Sequence, residues 1–372
     1  MARGLMTTYD LTTGVQLMVE DMISVLSPFD VPLLGQQGAD GRTVLSQEPI
    51  YEKKVEWLDE TLLTPRTTVG ANGVTADTYI TTASGERERF QTGDVIRVNA
   101  EYMRITDYGS TADSLVVTRA YSGTAASFTA GDEMIGVGSA LPEGTDPPAA
   151  RTRDRVNRYN LTEIFGPYKV HVSESEQVVR KYGLQMTEFD KQVANRVKEA
   201  YVAMEQAIMY GTRVDDTTNK WRTMGGMVFY ITSNVDSTTT DITEAKLLDQ
   251  LSTVFNNGGN PDRIIVGGYQ KRKISQLTDN SLMRVVQATD SRGRVVNSYE
   301  SDFGELSIIL DRWVKKSDLF IISRDQATVG TLRPLTFEML AKTGDSEVGQ
   351  VVGEKTLVFR REAQAARFNA LT

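Results

Sequence analysis

The sequence predicts an α+β chain that carries an inserted all-β domain. Three stretches predict it. Residues 187–210 form a long amphipathic helix, residues 67–137 form a Thr-, Val-, Ala- and Gly-rich island of short strand-like runs, and residues 243–325 alternate between helix and strand.

The helix comes first because the rest is arranged around it. Phe189, Val193, Val197, Ala200, Tyr201, Met204 and Ile208 recur at steps of three and four, which puts them on one stripe of a 3.6-residue helix. Glu188, Asp190, Lys191, Lys198 and Glu205 fall to the other faces. Thr187 followed by Asp190 reads as a capping box, and Gly211 supplies the stop. At 1.5 Å per residue the helix is roughly 36 Å long.

Residues 1–45 read as an arm, with one amphipathic helix at 15–26 and extended chain at Ser27-Pro28 and Val31-Pro32. Residues 46–66 alternate as a strand, with Pro49 marking an edge or a start. The island has turn signals at near-regular spacing, such as Gly70-Ala71-Asn72-Gly73, Thr92-Gly93-Asp94 and Ala130-Gly131-Asp132. That spacing suggests a small sandwich or barrel. Residues 138–170 leave the island, and the stretches flanking it read as the two arms of one long hairpin. Val228-Phe229-Tyr230-Ile231 reads as a strand after a Gly pair. Residues 244–255 and 270–277 read as helices, with short strands at 263–266, 302–310 and 318–322. Residues 332–360 return as an extended pair, before a short Ala-rich tail.

Composition excludes several kinds of chemistry. The chain has 372 residues, a net charge of −8, no Cys and one His. Without Cys there are no disulfides, Cys-zinc sites or thiol catalysis. The lone His171 rules out His–His metal motifs, and its strand neighbours Ser173 and Glu174 do not form a triad with it. Gly225-Gly226, Gly258-Gly259 and Gly267-Gly268 lack the further residues of a phosphate or dinucleotide loop. Asp59-Glu60 and Asp215-Asp216 match no calcium loop. The acidic balance argues against a protein that coats nucleic acid. No apolar run approaches a membrane span, and residues 1–4 lead into no secretory signal. The expectation is no enzyme activity, no catalytic residues, no cofactor and no metal.

The order of parts is arm, long hairpin, spine helix, α/β unit, return strands and tail. It resembles the major capsid proteins of tailed bacteriophages, the Hong Kong 97-like fold. Two stretches add to the likeness. Residues 93–124, including Gly93-Asp94-Val95-Ile96-Arg97-Val98, resemble small β-domains inserted in phage structural proteins. Asn260-Pro261-Asp262-Arg263-Ile264-Ile265-Val266 with the helix after it is similar to an axial-domain segment. The resemblance implies five parts: an N-terminal arm at 1–45, an extended loop at 46–66 and 138–170, an inserted β-barrel or sandwich at 67–137, a peripheral domain with the spine helix at 171–222 and 333–360, and an axial domain at 223–332 and 361–372. Some relatives begin with a cleaved scaffolding segment; this chain begins with the arm, which implies a separate scaffold or none.

What the resemblance implies for function is a major capsid protein. It would self-assemble into hexamers and pentamers of an icosahedral or prolate head shell around double-stranded DNA, bound without sequence specificity. Its place would be the virion, after assembly in the host cytoplasm. Its partners would be copies of itself and scaffolding, portal and decoration proteins, with no membrane. The candidates for contact between subunits are Lys53, Lys54 and Trp57 in the first hairpin arm and Arg151, Arg153, Arg155 and Arg158 in the second. Strand spacing puts Arg151, Arg153 and Arg155 on one face, either to meet an acidic partner or to protect a solvated edge. An encapsulin-like compartment shell and a tail or baseplate receptor-binding protein are the alternative readings.

Overall fold

The computed structural model describes residues 30–35, 44–146, 155–179, 187–277, 298–342 and 344–372. The helix expected at 15–26, Arg151 and Arg153 lie outside them. The chain divides into two compact units, one of Met1–Trp57 with Arg158–Thr372 and one of Leu58–Asn157.

In the first unit the spine helix runs from Glu188 to Tyr210. Thr187 caps it, its Oγ1 accepting the Asp190 N–H at 3.2 Å and donating to Asp190 Oδ2 at 2.6 Å. Phe189, Ala200, Met204, Ile208 and Met209 are buried along it. The helix lies against a four-stranded sheet in the order Ser46–Pro49, Ala327–Met339, Ser346–Phe359, Glu163–Ser173. The first pair is parallel and the other two are antiparallel. Pro49 sits on an edge strand, where its missing N–H costs no ladder bond.

A six-stranded sheet completes this unit in the order Val235–Asp236, Ala366–Phe368, Leu319–Ile322, Arg263–Val266, Gly304–Leu310, Ser298–Ser301. Arg263–Val266 and Gly304–Leu310 are parallel neighbours, and the helix Gly268–Leu277 lies in the connection between them. The central strands carry the apolar runs Leu319–Ile322 and Ile264–Val266 because both faces are covered. Ile265, Phe320 and Ile322 join the core shared with the spine helix, while Ile264, Val266, Leu319 and Ile321 pack with Leu247, Leu251 and Val254 of the helix Glu244–Asn256.

Three expectations differ from the structure. Residues 227–230 form a helical turn, Met227–Tyr230, and not a strand. Four successive apolar residues fit either form; what decides is Gly226, whose N–H donates to the Gly211 carbonyl at 2.8 Å and turns the chain against the end of the spine helix. Glu205 does not face solvent. It is fully buried, and its carboxyl accepts the N–H groups of Leu33 and Leu34. Residues 163–170, expected in the extended loop, pair with Ser346–Phe359 and bury Phe165 and Val170. Pairing between the two hairpin arms is between Lys54–Glu60 and Arg155–Leu161.

In the second unit six antiparallel strands follow the order Arg66–Thr68, Glu133–Ser139, Asp94–Val98, Glu101–Tyr108, Ser114–Ser122, Tyr79–Thr81. The two outer strands meet through a Val69–Thr82 bridge and the Ala83 N–H to Thr68 carbonyl bond at 2.9 Å, so the sheet closes on itself. Closure removes open edges. Inside lie Val69, Ile80, Phe90, Ile96, Met103, Ile105, Leu115, Phe128 and Met134.

One polar cluster ties this unit together. Glu101 is 1% exposed. Its carboxylate takes the Arg119 guanidinium at 2.7 and 2.8 Å and the N–H groups of Ala120 at 3.0 Å and Ala126 at 2.9 Å. Burial would raise its pKa, but the Arg119 bond and these N–H groups outweigh it and hold the carboxyl below its ordinary value. Arg119 also donates to the carbonyls of Val74 at 2.8 Å, Asp77 at 3.2 Å and Ala126 at 2.5 Å. Replacing one partner strands the other charge. Arg119→Met is expected to cost about 3 kcal/mol of this unit's stability, read as a lowered urea midpoint of the full chain by circular dichroism.

Candidate assembly surfaces

Unsatisfied or converging reactive groups would mark an active site; ordered apolar side chains facing water mark a contact surface. The described residues hold no cluster of three or more His, Asp or Glu able to bind a metal. No described helix is long and apolar enough to cross a membrane. Apolar side chains do stand in solvent on well-fixed elements.

In the first unit one such place is the short helix Glu174–Val178. Ser173 Oγ caps it by accepting the Glu176 N–H at 3.3 Å. The Glu174 N–H bonds to the Asp345 carbonyl at 3.3 Å, the Glu174 carboxylate pairs with Lys342, and Gln177 donates to Glu347 at 2.8 Å. The helix is thereby bolted to the turn between the two longest strands. It ends on Val178, 81% exposed, and Val179, while Met339 and Leu340 are exposed at the end of the adjoining strand.

A second place is the hairpin Val214–Asp216 with Trp221–Thr223. Asp216 builds its turn: Oδ1 accepts the N–H groups of Thr218 and Asn219, each at 2.9 Å, and Oδ2 accepts Asn219 Nδ2 at 2.8 Å. The Asn219 N–H bond chiefly holds the Asp216 carboxyl below its ordinary value. The hairpin presents Trp221 at 64% exposure. An indole fixed in water by such a turn has more contact area to offer than it uses.

A shallow groove of about 510 Å³ runs along the strand Glu163–Ser173 beside the spine helix, lined by Lys169, His171, Glu176, Glu188, Gln192 and Arg196. Its charges are mixed. His171 lies 2.9 Å from Ser346 Oγ, a structural role. In the second unit Leu58, Leu62 and Val156 are exposed.

The contact candidates from the sequence divide. Lys53 is exposed, and its carbonyl accepts the Thr162 N–H at 2.8 Å. Lys54 pairs with Glu56, which raises its pKa, and lies 4.4 Å over the Tyr159 ring. Arg155 is exposed and bonds Glu60 at 3.2 Å. Trp57 is corrected: it is 8% exposed, 5.6 Å from the Tyr230 ring, and part of its own subunit's core. Its strand alternates with burial at Val55 and Trp57, so the ring faces inward. Arg158 bonds the Glu362 carboxylate at 3.3 Å, which also receives Ser233 Oγ at 2.8 Å. It secures the chain's tail instead of standing free. Sequence reasoning missed Val178, Met339 and Trp221, because only the fold shows that no described residue covers them.

A family model for the SU10 major capsid protein matches residues 6–372. The chain belongs to this family. Among solved structures it is similar to "The capsid of Myoviridae Phage XM1", with a TM-score of 0.52 and 10% identity over 99% of this chain and 100% of that one. It is equally similar to a chain of Mycobacterium phage Bobi, TM-score 0.52 and 10% identity, covering 98% and 99%. The capsid of an empty GTA particle gives a TM-score of 0.51 and 10% identity, covering 99% and 100%. No curated protein matches. The fold is therefore Hong Kong 97-like, and the protein is a capsid shell protein that associates with its own copies in the virion.

This SU10-family capsid protein separates side chains that hold the subunit from those offered outward. Trp57→Ala is expected to cost about 3–5 kcal/mol of subunit stability, measured by thermal unfolding. Val178→Asp and Trp221→Ala are expected to leave stability within about 0.5 kcal/mol while lowering the yield of assembled particles in sedimentation.

Proposed function

We propose that this chain forms hexameric and pentameric capsomers of an icosahedral or prolate head that encloses double-stranded DNA. The observation that carries this is the capsid family match from residue 6 to residue 372, which accounts for both units together. The exposed Val178, Met339 and Trp221 agree with it, since a shell subunit meets its neighbours through surface and not through a pocket.

In this reading the DNA is contained and not gripped. A net charge of −8 repels phosphate and leaves packaged DNA mobile against the shell. The role is structural, without catalysis. The arm and the loop at 46–66 and 138–170 bridge neighbouring subunits, with Lys53, Lys54 and Arg155 among the contacts, and residues 163–170 root the loop in its own subunit's sheet. The unit around 67–137 is an inserted domain that adds contacts between capsomers on the outer surface. Residues 171–222 and 333–360 act as the peripheral domain, and 223–332 with 361–372 as the axial domain. Assembly takes place in the host cytoplasm, with scaffolding, portal and decoration proteins as partners.

The test is electron microscopy with analytical ultracentrifugation of the chain expressed alone and with scaffold candidates. Closed shells, or rings of five and six subunits, are expected. A monodisperse monomer or trimer under both conditions would overturn the capsomer assignment.

A further inference from the structure

Two carboxyl groups are buried against each other where the arm meets the spine helix. Glu205, on the helix, and Asp311, in the turn after strand Gly304–Leu310, are both 0% exposed. They lie within hydrogen-bonding reach of one another. Glu205 Oε1 accepts the Leu33 N–H at 2.9 Å, and Oε2 accepts the Leu34 N–H at 3.4 Å. Asp311 Oδ1 accepts the Trp313 N–H at 2.8 Å, and its Oδ2 has no donor among the described residues.

Two adjacent buried carboxylates with no cation paired to them do not both stay ionised. Among the described residues, the cations of the surrounding elements are turned to other partners. Arg312 binds Asp30 at 2.6 Å, Lys315 Nζ lies 4.7 Å over the Tyr210 ring, Arg263 donates to the Val44 carbonyl, and Lys355 Nζ lies 5.9 Å over the Tyr201 ring. The remaining neighbours, Asp318 and Tyr210, bring no positive charge; the Tyr210 hydroxyl accepts the Lys315 N–H at 2.8 Å. One proton between Glu205 and Asp311 removes a charge and gives Oδ2 its donor.

The element covering the pair is small. Residues 30–35 are held by the two bonds to Glu205, by Asp30 to Arg312 and to Trp313 Nε1 at 2.8 Å, and by Gln47 Nε2 to the Leu34 carbonyl at 3.1 Å. We propose that the Glu205–Asp311 pair is a proton-operated latch for this arm segment: the shared proton keeps residues 30–35 docked on the spine helix, and its loss under mildly alkaline conditions lets them lift.

The sign follows from where the proton binds. Burial raises both carboxyls; at Glu205 it outweighs the Leu33 and Leu34 N–H bonds, which favour the ionised form, the charge of Asp311 adds to the rise, and Glu205 is pushed from 4.5 up to about 8. The docked form therefore keeps a proton that the released, hydrated form gives up in the ordinary carboxylate range. Docking is strongest below the released value of 4.5 and weakens with rising pH until the docked form itself ionises near 8. Between these limits each pH unit shifts the docked-to-released ratio by up to about tenfold.

Amide hydrogen exchange on the purified, unassembled full chain tests this, from about pH 5.5 to about pH 8.5 and corrected for the intrinsic base-catalysed rate. Protection at Leu33 and Leu34 is expected to fall at least about tenfold across this range, while the core strand Leu319–Ile322 keeps its protection. Glu205→Gln retains an oxygen for the Leu33 N–H and gives Asp311 a permanent N–H donor. Asp311→Asn offers the reverse bond. Both variants are expected to hold the arm at every pH. Unchanged wild-type protection would overturn the latch. So would variants that lose protection as the wild type does, or a loss shared equally by Leu319–Ile322. Whether the chain assembles is read separately, so the latch and the capsomer assignment can fail independently.

Discussion

The first unit depends on how closely the chain approaches itself at the end of the spine helix. Gly211, Gly225 and Gly226 meet there. A Cβ on Gly226 would lie 2.7 Å from the Ala207 carbonyl oxygen and 2.8 Å from that of Ile208. These are backbone atoms of the helix and cannot swing aside, so a side chain at this point would lever the following segment off the spine. Asn160 fixes the same place from the other side. Its amide donates to the carbonyls of Gly225 at 2.9 Å and Leu357 at 2.6 Å, and its oxygen accepts the Gly225 N–H at 2.8 Å and the Leu161 N–H at 2.9 Å. One fully buried side chain thus joins the hairpin base, the four-stranded sheet and the turn that leads into the second half of the fold.

Asn160, Glu101 and Glu205 share a logic. Each is a buried polar group placed where segments distant in sequence converge, and each satisfies backbone N–H groups that no regular ladder reaches. Apolar packing would bury the same area without fixing which segments meet, because it is non-directional. The three sites differ in charge balance. Asn160 is neutral and carries no pH dependence. Glu101 has Arg119 beside it and stays ionised. Glu205 has a second carboxyl and, among the described residues, no cation beside it, and burial raises it well above its ordinary value.

The elements were more legible in the sequence than their partners. The spine helix was readable end to end because one stripe, one cap and one glycine stop agree on it, and Arg263–Val266 was readable because its apolar run is short and bounded. The burial of Glu205, which lies off the apolar stripe, was not legible for a reason that pattern cannot repair. A carboxylate one step off an apolar stripe looks solvated until Leu33 and Leu34, far away in sequence, bring N–H groups to it. Met227–Tyr230 failed in a similar way, since a close backbone approach chose between two equally apolar alternatives. Trp57 and Trp221 show the limit from the other side. Both belong to strands with mixed neighbours, and only the tertiary structure puts one ring against Tyr230 and leaves the other in water.

That contrast is also where stability and assembly part company in a shell subunit. A subunit must fold before its neighbours arrive, so what holds it together has to be satisfied within one chain, as Asn160 and Arg119 are. What joins it to neighbours must stay in solvent until then without drawing subunits together at random. Rigid mounting meets both demands. Trp221 stands on a turn that Asp216 closes with three hydrogen bonds, and Val178 ends a helix capped by Ser173 and paired to Lys342. Side chains held this way lose little freedom when buried between subunits, so little of the contact free energy is lost to ordering. Assembly then requires several fixed points to match at once, which a symmetric shell provides and a chance encounter does not.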